Sequence, residues 1–160
     1  MAKVYKINRT TQAFEEILEG DTIQLPDCVK LTHYSSFNAD TILDISTNYP
    51  HHDTFQHTGK LEMPIHYHDD DEVRVILRGI ATFYVPLDQY LYIIECSCLD
   101  KLELAANIVH WFSADGDLLA FRFFSNNTQH IMKIPEALPP DVYTIKDHID
   151  KNGLNLKFNV

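Results

Sequence analysis

The feature that most limits the fold of this 160-residue chain is a series of β-rich segments in its second half. Five segments rich in β-branched and aromatic residues follow one another at intervals of roughly eight to twelve residues, separated by short turns. They are Glu72–Arg78, Ile80–Val85, Tyr90–Cys98, Lys101–Phe112 and Leu118–Ser125. Such spacing favours antiparallel hairpins that close into a sandwich or a small barrel. The sequence therefore predicts an all-β core without internal repeats.

The flanking segments are less regular, and we predict short helices near both termini. The first helix is predicted over Thr10–Leu18, with Thr11 as N-cap and Gly20 closing it. The other predicted elements are short strands at Asp21–Gln24 and Cys28–Tyr34, a helix from Asn38 through Ile45, a loop over Thr47–Lys60, and a helix over Val142–Lys151 ended by Gly153.

The densest group of potential ligands lies in PIHYHDDDEVRVILRG, residues 64–79. His66 and His68 are two residues apart, so on a β-strand their imidazoles leave the same face. Glu72 follows across an acidic turn, from which its carboxylate can swing back toward them. Two imidazoles and a carboxylate form a borderline ligand set that suits iron, nickel, manganese or zinc. The best candidate for a fourth ligand is His110, in LAANIVHWF, which would leave open positions on an octahedral ion.

The length and composition fit a single domain that contains such a site. Hydrophobic residues make up 45% of the chain and aromatic residues 11%, enough to fill one core. We expect one domain over residues 1–160, with an N-terminal segment and loop (1–60), a metal-binding β-core (61–127) and a C-terminal tail that packs on the barrel (128–160). The net charge of −10 argues against nucleic-acid and anionic-membrane partners. The first residues form no signal-like apolar run, so we expect a cytoplasmic protein.

Other histidines and the cysteines allow plainer interpretations. His51, His52 and His57 lie in the predicted loop without a strand-fixed spacing, which favours solvated side chains over a second metal site, although one of them could line the site entrance. Cys96 and Cys98 are interpreted as reduced thiols on one face of a strand, with a C-x-C metal half-site as the alternative.

Side chains beside the proposed ligands suggest what the site binds. Counted by twos from Glu72, Arg74 and Ile76 face the barrel interior. Arg122 lies in the middle of the apolar strand AFRFF, where a charged residue must pair internally or face a polar cavity. Either arginine could form a structural ion pair, or both could hold an anionic ligand through forked hydrogen bonds. Phe112 is two residues from His110, so on a strand it would face the same side and give the site an apolar wall. Trp111 points to the other side.

The two motifs together resemble the signature of the cupin superfamily: H-x-H, an acid four residues later, Gly79 seven residues after that, and a histidine ending an apolar strand. The second motif departs from the pattern, since Leu99, Ala105 and Asn107 stand where Gly, Pro and Gly are expected. Asn107 can take a left-handed turn at modest cost, whereas Leu99 and Ala105 imply a different turn.

Within the cupins, residues 64–125 are similar to the acireductone dioxygenases of methionine salvage. The resemblance implies a small jelly-roll-like antiparallel barrel, with His66, His68, Glu72 and His110 as metal ligands. It further implies that Arg74, Phe112 and Arg122 line the substrate side, with Arg74 and Arg122 as the catalytic residues. The family usually has Glu where this chain has Ile65 and an aromatic residue where it has Glu62, and His130 is a candidate for the place of a missing Trp.

The resemblance implies a cofactor and a reaction. One ion per chain is expected, Fe(II) with Ni(II) as the alternative, and the partners are a small anionic substrate and O2. The reaction would cleave an acireductone, an enediol with a neighbouring ketone, to a 2-keto acid and formate. Two alternatives remain open: another metal-cupin enzyme that acts on a different small acid, and a non-catalytic metal-cupin that binds a small ligand. The sequence leaves the oligomeric state open.

Overall fold

The computed structural model of the protein describes residues 1–19, 23–125 and 131–152. The strands in the first half of the chain are β1 (Lys3–Asn8), β2 (Phe14–Glu19), β3 (Val29–His33), β4 (His51–Thr58) and β5 (Leu61–Glu62). The strands in the second half are β6 (Glu72–Arg78), β7 (Ala81–Leu87), β8 (Tyr90–Cys96), β9 (Asp100–Leu104), β10 (Trp111–Ala114) and β11 (Asp117–Phe124). The helices are α1 (Ala39–Ser46) and α2 (Pro140–Asn152).

These strands form two antiparallel sheets that face each other. One sheet has the strand order β2-β1-β8-β7-β10-β5, and the other has the order β3-β9-β6-β11-β4. The predicted all-β, cupin-type barrel with short helices near both ends is therefore confirmed. Neither helix in the described ranges is long and apolar enough to cross a membrane.

Alternating side chains in the strands divide the protein into layers. In β6, Arg74 and Ile76 line a cavity between the sheets, whereas Val73 and Val75 pack on the outer face against Ile45 of α1. The outer face of the other sheet is covered by Val142 and other apolar residues of α2. The core between the sheets consists of Val4, Val29, Ile76, Ala81, Phe83, Val85, Tyr92, Ile94, Cys96, Leu102, Leu104, Ala114, Leu118 and Ala120.

Most of the predicted elements are confirmed. Each of the six strands described in the second half begins or ends within a few residues of a predicted bound. The helix predicted after Asn38 is α1, and the Asn38 side chain accepts hydrogen bonds from the backbone N–H groups of Asp40 and Thr41 in a capping box. The predicted C-terminal helix is α2. Gly153, proposed as its end, lies outside the described residues.

The helix predicted over Thr10–Leu18 is wrong, because this segment turns and returns as β2. Gln12 has a φ of 57° in the turn, and Leu18 then pairs with Val4 of β1. The helix propensity of FEEIL is overridden by tertiary pairing along the β1 edge. Gly20 lies outside the described residues, as do residues 21 and 22 of the strand predicted over Asp21–Gln24; residues 23 and 24 are not in a strand.

The loop predicted over Thr47–Lys60 is also wrong, because it contains β4, the edge strand of the five-stranded sheet. β4 pairs with β11 along its whole length, from Thr58 opposite Asp117 to His51 opposite Phe124. As an edge strand it has exposed residues at alternate positions and few apolar side chains. Its composition therefore resembles that of a loop, although the backbone is paired.

The long segment predicted over Lys101–Phe112 is divided into β9 and β10 by an irregular stretch. Asn107 has a φ of 67° there, as predicted for a residue in a left-handed turn. Leu99 also has a positive φ, 72°, a conformation that glycine favours, and the different turn expected at Leu99 and Ala105 stays a prediction. A non-glycine residue in this conformation costs about 1–2 kcal/mol.

Gly79 connects β6 to β7 at a place where a side chain has no room. Its φ is 85°, and a Cβ atom added to it would lie 2.1 Å from the carbonyl oxygen of Asp117. This close approach of two backbone segments explains why the motif requires glycine here.

Candidate metal centre

The three predicted histidine ligands meet in the structure although they come from two separate segments. His66 and His110 form an antiparallel bridge, in which each backbone N–H donates to the other's carbonyl at 2.9 Å. His68 is joined to the second segment by the Asn107 N–H, which donates to its carbonyl at 2.8 Å. One ring nitrogen from each of His66, His68 and His110 lies within 4.8 Å of the others. All three side chains are buried.

Main-chain carbonyls fix which nitrogen of each imidazole is free. Nδ1 of His66 lies 2.7 Å from the carbonyl oxygen of Pro64, Nδ1 of His110 lies 3.0 Å from that of Ile108, and Nδ1 of His68 lies 3.1 Å from that of Ile131. A carbonyl oxygen only accepts, so each Nδ1 must carry the proton and donate it. The lone pair is then on Nε2, the tautomer that a metal ligand needs.

Glu72 brings a carboxylate to the same point. Its Oε2 lies 2.7 Å from Nε2 of His110 and 3.8 Å from Nε2 of His68. The contact with His110 does not have hydrogen-bond geometry, so Glu72 Oε2 and His110 Nε2 are buried polar atoms without a hydrogen-bond partner among the described residues. Neighbouring donor atoms on a six-coordinate ion are about 3 Å apart for bonds of about 2.1 Å. A divalent ion at this point would satisfy both atoms. The group whose donor atoms all lie within 4.8 Å of one another consists of His66, His68 and His110, so Glu72 as the fourth ligand stays a prediction.

The electrostatics of the cluster also suit a cation. Burial lowers the pKa of His66 to about 4, and burial lowers the pKa of His68. Burial acts to raise the pKa of Glu72, but the charges of Arg74 and His110 outweigh it and hold that pKa well below its usual range. Burial acts to lower the pKa of His110, but the Glu72 carboxylate outweighs it, and the pKa is raised. The carboxylate therefore attracts a positive charge to Nε2 of His110, a place that a metal ion can take from a proton.

The cluster opens into a cavity of about 190 Å³ between the sheets. The polar side chains lining the cavity are His66, His68, Glu72, Arg74 and Arg122. The apolar ones are Phe55, Met63, Ile76, Ala81, Phe83, Phe112, Leu118, Ala120 and Met132. Cavities for drug-sized ligands have volumes of roughly 300–1,000 Å³, so this one suits a small metabolite with polar and apolar parts.

The two predicted arginines are neighbours on the inner face of the five-stranded sheet. Arg122 of β11 lies opposite Arg74 of β6 on one side and opposite Asp53 of β4 on the other. Arg74 Nη2 lies 3.0 Å from Glu72 Oε1. Arg122 donates two hydrogen bonds to Asp53, at 2.8 and 2.7 Å. Each arginine therefore forms an ion pair, as one of the two interpretations predicted, and also lines the cavity. That the two arginines hold an anionic ligand stays a prediction.

Asp53, Phe55, Met63 and Met132 were not predicted at the site. Asp53 and Phe55 belong to β4, which resembles a loop in sequence. The sequence carries one sign of an inward-facing strand here, which is the placement of Asp53, Phe55 and His57 two residues apart. These three residues are partly buried, whereas their neighbours in the strand are exposed. Met63 and Met132 lie outside the long strands and carry no motif.

Phe112 and Trp111 lie on opposite faces of their sheet, as predicted. Phe112 lines the cavity, and Trp111 is buried on the other face of the sheet, stacked on Tyr84. His51 and His52 are exposed on β4 rather than in a loop, and none of the β4 histidines lines the cavity.

Ile65, Glu62 and His130 stand where the family usually has other residues, and the structure describes the first two. Ile65 is buried in the cluster beneath α2, Glu62 pairs with Lys60, and His130 lies outside the described residues. The prediction that Cys96 and Cys98 share one face of a strand is wrong, because Cys96 is buried in the core at the end of β8 whereas Cys98 is exposed beyond it.

Two antiparallel sheets enclosing converged histidine and glutamate side chains define a cupin with a candidate metal site. A sequence model of the ARD/ARD' family matches residues 21–132. The chain belongs to this family, and the match extends beyond the segment 64–125 on which the resemblance was based.

Individual relatives agree with this assignment. Acireductone dioxygenase 1 of Pectobacterium atrosepticum is 38% identical over 63 residues, which cover 38% of this chain and 36% of that protein. Acireductone dioxygenase of Marinobacter nauticus is 27% identical over 114 residues, covering 70% of this chain and 58% of that protein. The chain thus spans about a third to somewhat over half of the length of these relatives.

A solved structure shares the fold. It is an acireductone dioxygenase from Bacillus anthracis with a cadmium ion in its active centre, and it aligns with a TM-score of 0.65 at 17% identity. The alignment covers 84% of this chain and 98% of that chain.

Proposed function

We propose that this protein is a metal-dependent dioxygenase of methionine salvage that cleaves a small acireductone with O2 to a 2-keto acid and formate. The observation that carries the proposal is the convergence of three histidine ring nitrogens, with the Glu72 carboxylate next to His110, beside a small cavity that two guanidinium groups line. Family membership and the names of the relatives support it. His66, His68, Glu72 and His110 would hold one ion per chain. We propose Fe(II), because supply usually favours iron, with Ni(II) as the alternative that the affinity order favours.

The charges of the cavity suit an anionic substrate. Glu72 pairs with Arg74 and Asp53 pairs with Arg122, so these four groups add no net charge. Imidazoles that bind a metal are neutral. A divalent ion would therefore leave an excess of two positive charges, which an acireductone bound as an anion would reduce. When bound, the ion supplies a template and Lewis acid for two substrate oxygens.

Arg74 and Arg122 would bind and orient that anion. A guanidinium has five N–H donors. Arg122 uses two of them in hydrogen bonds to Asp53, and Arg74 uses one on the carbonyl of Val73 while it forms an ion pair with Glu72. Each arginine keeps further donors for substrate oxygens while its carboxylate partner restrains it. Held in this way, the guanidinium groups stabilise the anion without reorganising.

The apolar lining would protect the reaction from water. Phe112 packs against Phe83 with ring centroids 5.6 Å apart and against Phe55 with centroids 6.4 Å apart. These three rings form a continuous wall of the cavity. Such a wall excludes water from a reactive intermediate and strengthens the electrostatic interactions of the arginines.

The proposed reaction balances without another reductant. Cleavage of the carbon–carbon double bond of the enediol gives one new carboxyl group on each side, and each takes one oxygen atom of O2. The enediol carbons are oxidised and O2 is reduced. With Ni(II) bound, the family reaction gives a carboxylic acid, formate and carbon monoxide instead, with the same total of atoms.

Anaerobic purification with metal quantification, followed by an oxygen-uptake assay with a synthetic acireductone, tests the proposal. We expect about one ion per chain and rapid oxygen uptake, with formate and a 2-keto acid as products. Uptake only with another small acid would favour a different metal-cupin enzyme. Tight binding of the acireductone without oxygen uptake would favour a non-catalytic metal-cupin.

A further inference from the structure

The acidic turn between His68 and Glu72 contains a carboxylate that the proposed function does not use. Asp71 Oδ2 accepts a hydrogen bond from the hydroxyl of Tyr49 at 3.0 Å, and its Oδ1 accepts one from the backbone N–H of Ala106 at 3.0 Å. Tyr49 lies between α1 and β4, and Ala106 lies in the turn between β9 and β10. One partly buried side chain therefore joins three separate segments.

The contact with Ala106 concerns the metal centre because of what lies on either side of it. Asp71 immediately precedes Glu72, and Ala106 lies four residues before His110. The next N–H, that of Asn107, donates to the carbonyl of His68 at 2.8 Å. Two successive N–H groups of the turn 105–107 thus donate to residues 66–72, the first ligand segment. The left-handed conformation of Asn107 suits such an arrangement, in which adjacent N–H groups converge on acceptors.

We propose that Asp71 is a positioning residue that sets the distance between Glu72 and His110 by fixing the turn 105–107 to the first ligand segment. The inference rests on the proposed metal site. Asp71 does not touch the ion; it acts through the two ligands on either side of its hydrogen bond. Tyr49 restrains the carboxylate from its other oxygen, and burial together with Asp71 raises the pKa of Tyr49, so its hydroxyl stays a donor.

The test compares Asp71→Ala with Asp69→Ala in the full chain, freed of metal and titrated with Co(II). Asp69 lies in the same turn but pairs with Lys133 rather than with the turn 105–107, so its replacement controls for lost charge. Loss of residues that support metal ligands typically lowers metal affinity about 10- to 100-fold. We expect a loss in this range for Asp71→Ala and less than about threefold for Asp69→Ala. The visible absorption of bound Co(II) should also change in Asp71→Ala alone.

Two further variants keep the inference testable if Asp71→Ala does not fold. Asp71→Asn keeps an acceptor for Ala106 but loses the charge, and we expect an intermediate loss of roughly 3- to 10-fold in Co(II) affinity. Tyr49→Phe leaves the Ala106 bond and should change affinity less than about threefold.

Three outcomes would overturn this role. Equal Co(II) affinity and absorption in wild type and Asp71→Ala, with only a lower melting temperature, would show that Asp71 is merely structural. Equal losses in Asp69→Ala and Asp71→Ala would show an effect of charge alone. Failure of the wild type to bind Co(II) would overturn the proposed metal site, and this inference with it.

Discussion

The candidate ligands and the two inward-facing arginines, Arg74 and Arg122, lie beside the same cavity but are held in different ways. The histidine rings are oriented by main-chain carbonyls, and Glu72 and His110 are only 7% and 1% exposed. Arg122 is oriented by the side chain of Asp53, which is 42% exposed on an edge strand. The backbone of the folded chain thus fixes the orientation of the histidines, whereas the geometry of Arg122 depends on a contact between side chains near solvent. Substitutions should therefore have all-or-none effects at the ligands and graded effects at the Arg122–Asp53 pair.

The largest effect is expected for His66→Ala. Removal of one of four ligands should lower metal content to near zero and abolish oxygen uptake, because the remaining donors no longer enclose an ion. Metal analysis of the purified variant and an oxygen electrode measure both. His57→Ala, a histidine of β4 that does not line the cavity, is the control. Full metal occupancy in His66→Ala would contradict the ligand assignment.

Arg74→Ala connects the two regions, and its effect should depend on metal. We expect it to keep the ion but lose at least about 100-fold in turnover, comparable to the loss of one stabilising donor group. It also leaves Glu72 buried without its cation, which typically costs about 3–5 kcal/mol. An ion beside Glu72 would replace that charge, so thermal unfolding should show a large loss of stability without metal and a small one with it.

A loss of stability in Arg74→Ala that is equal with and without metal would mean that no ion lies beside Glu72. Arg74→Lys keeps the positive charge but loses the paired N–H donors of the guanidinium group. It therefore separates the role of Arg74 in stability from its role in turnover. It should restore stability without restoring turnover.

Asp53→Asn should have a smaller effect, confined to substrate binding. It keeps the shape of the side chain but weakens the hold on Arg122, so we expect KM to rise about 3- to 10-fold with metal content unchanged. Steady-state kinetics at two salt concentrations would measure the change in KM. The KM of Arg122→Ala sets the largest rise expected for Asp53→Asn. A change in metal content in Asp53→Asn would mean that the two regions are not independent.

The smallest effect is expected when His51, His52 and His57 are all replaced by alanine. Metal content should stay at one ion per chain, because no second cluster with metal-ligand spacing is found in the described part of the chain. A small loss of stability is expected, since His52 packs against Phe121 and Phe123 on the outer face. Metal content falling below one per chain would show that the β4 histidines contribute ligands.

The two regions also differ in how well the sequence predicts them. The two-residue spacing of His66 and His68 predicts their convergence correctly, although this segment forms isolated β-bridges rather than a strand. Gly79 is required by the close approach of the backbone at Asp117. The partner of Arg122 could not be predicted, because β4 is an edge strand whose alternation is carried by Asp53, Phe55 and His57 rather than by a run of apolar residues. The error at Thr10–Leu18 has the same origin: pairing with a distant strand outweighs local propensity.

The carbonyl-bound Nδ1 atoms have a consequence for engineering this scaffold. The acceptors come from the peptide groups of Pro64, Ile108 and Ile131, so exchanging their side chains leaves the acceptors themselves in place. The cavity walls at Met63, Phe112 and Met132 can therefore be varied to admit other substrates while the tautomers of the ligands stay constant.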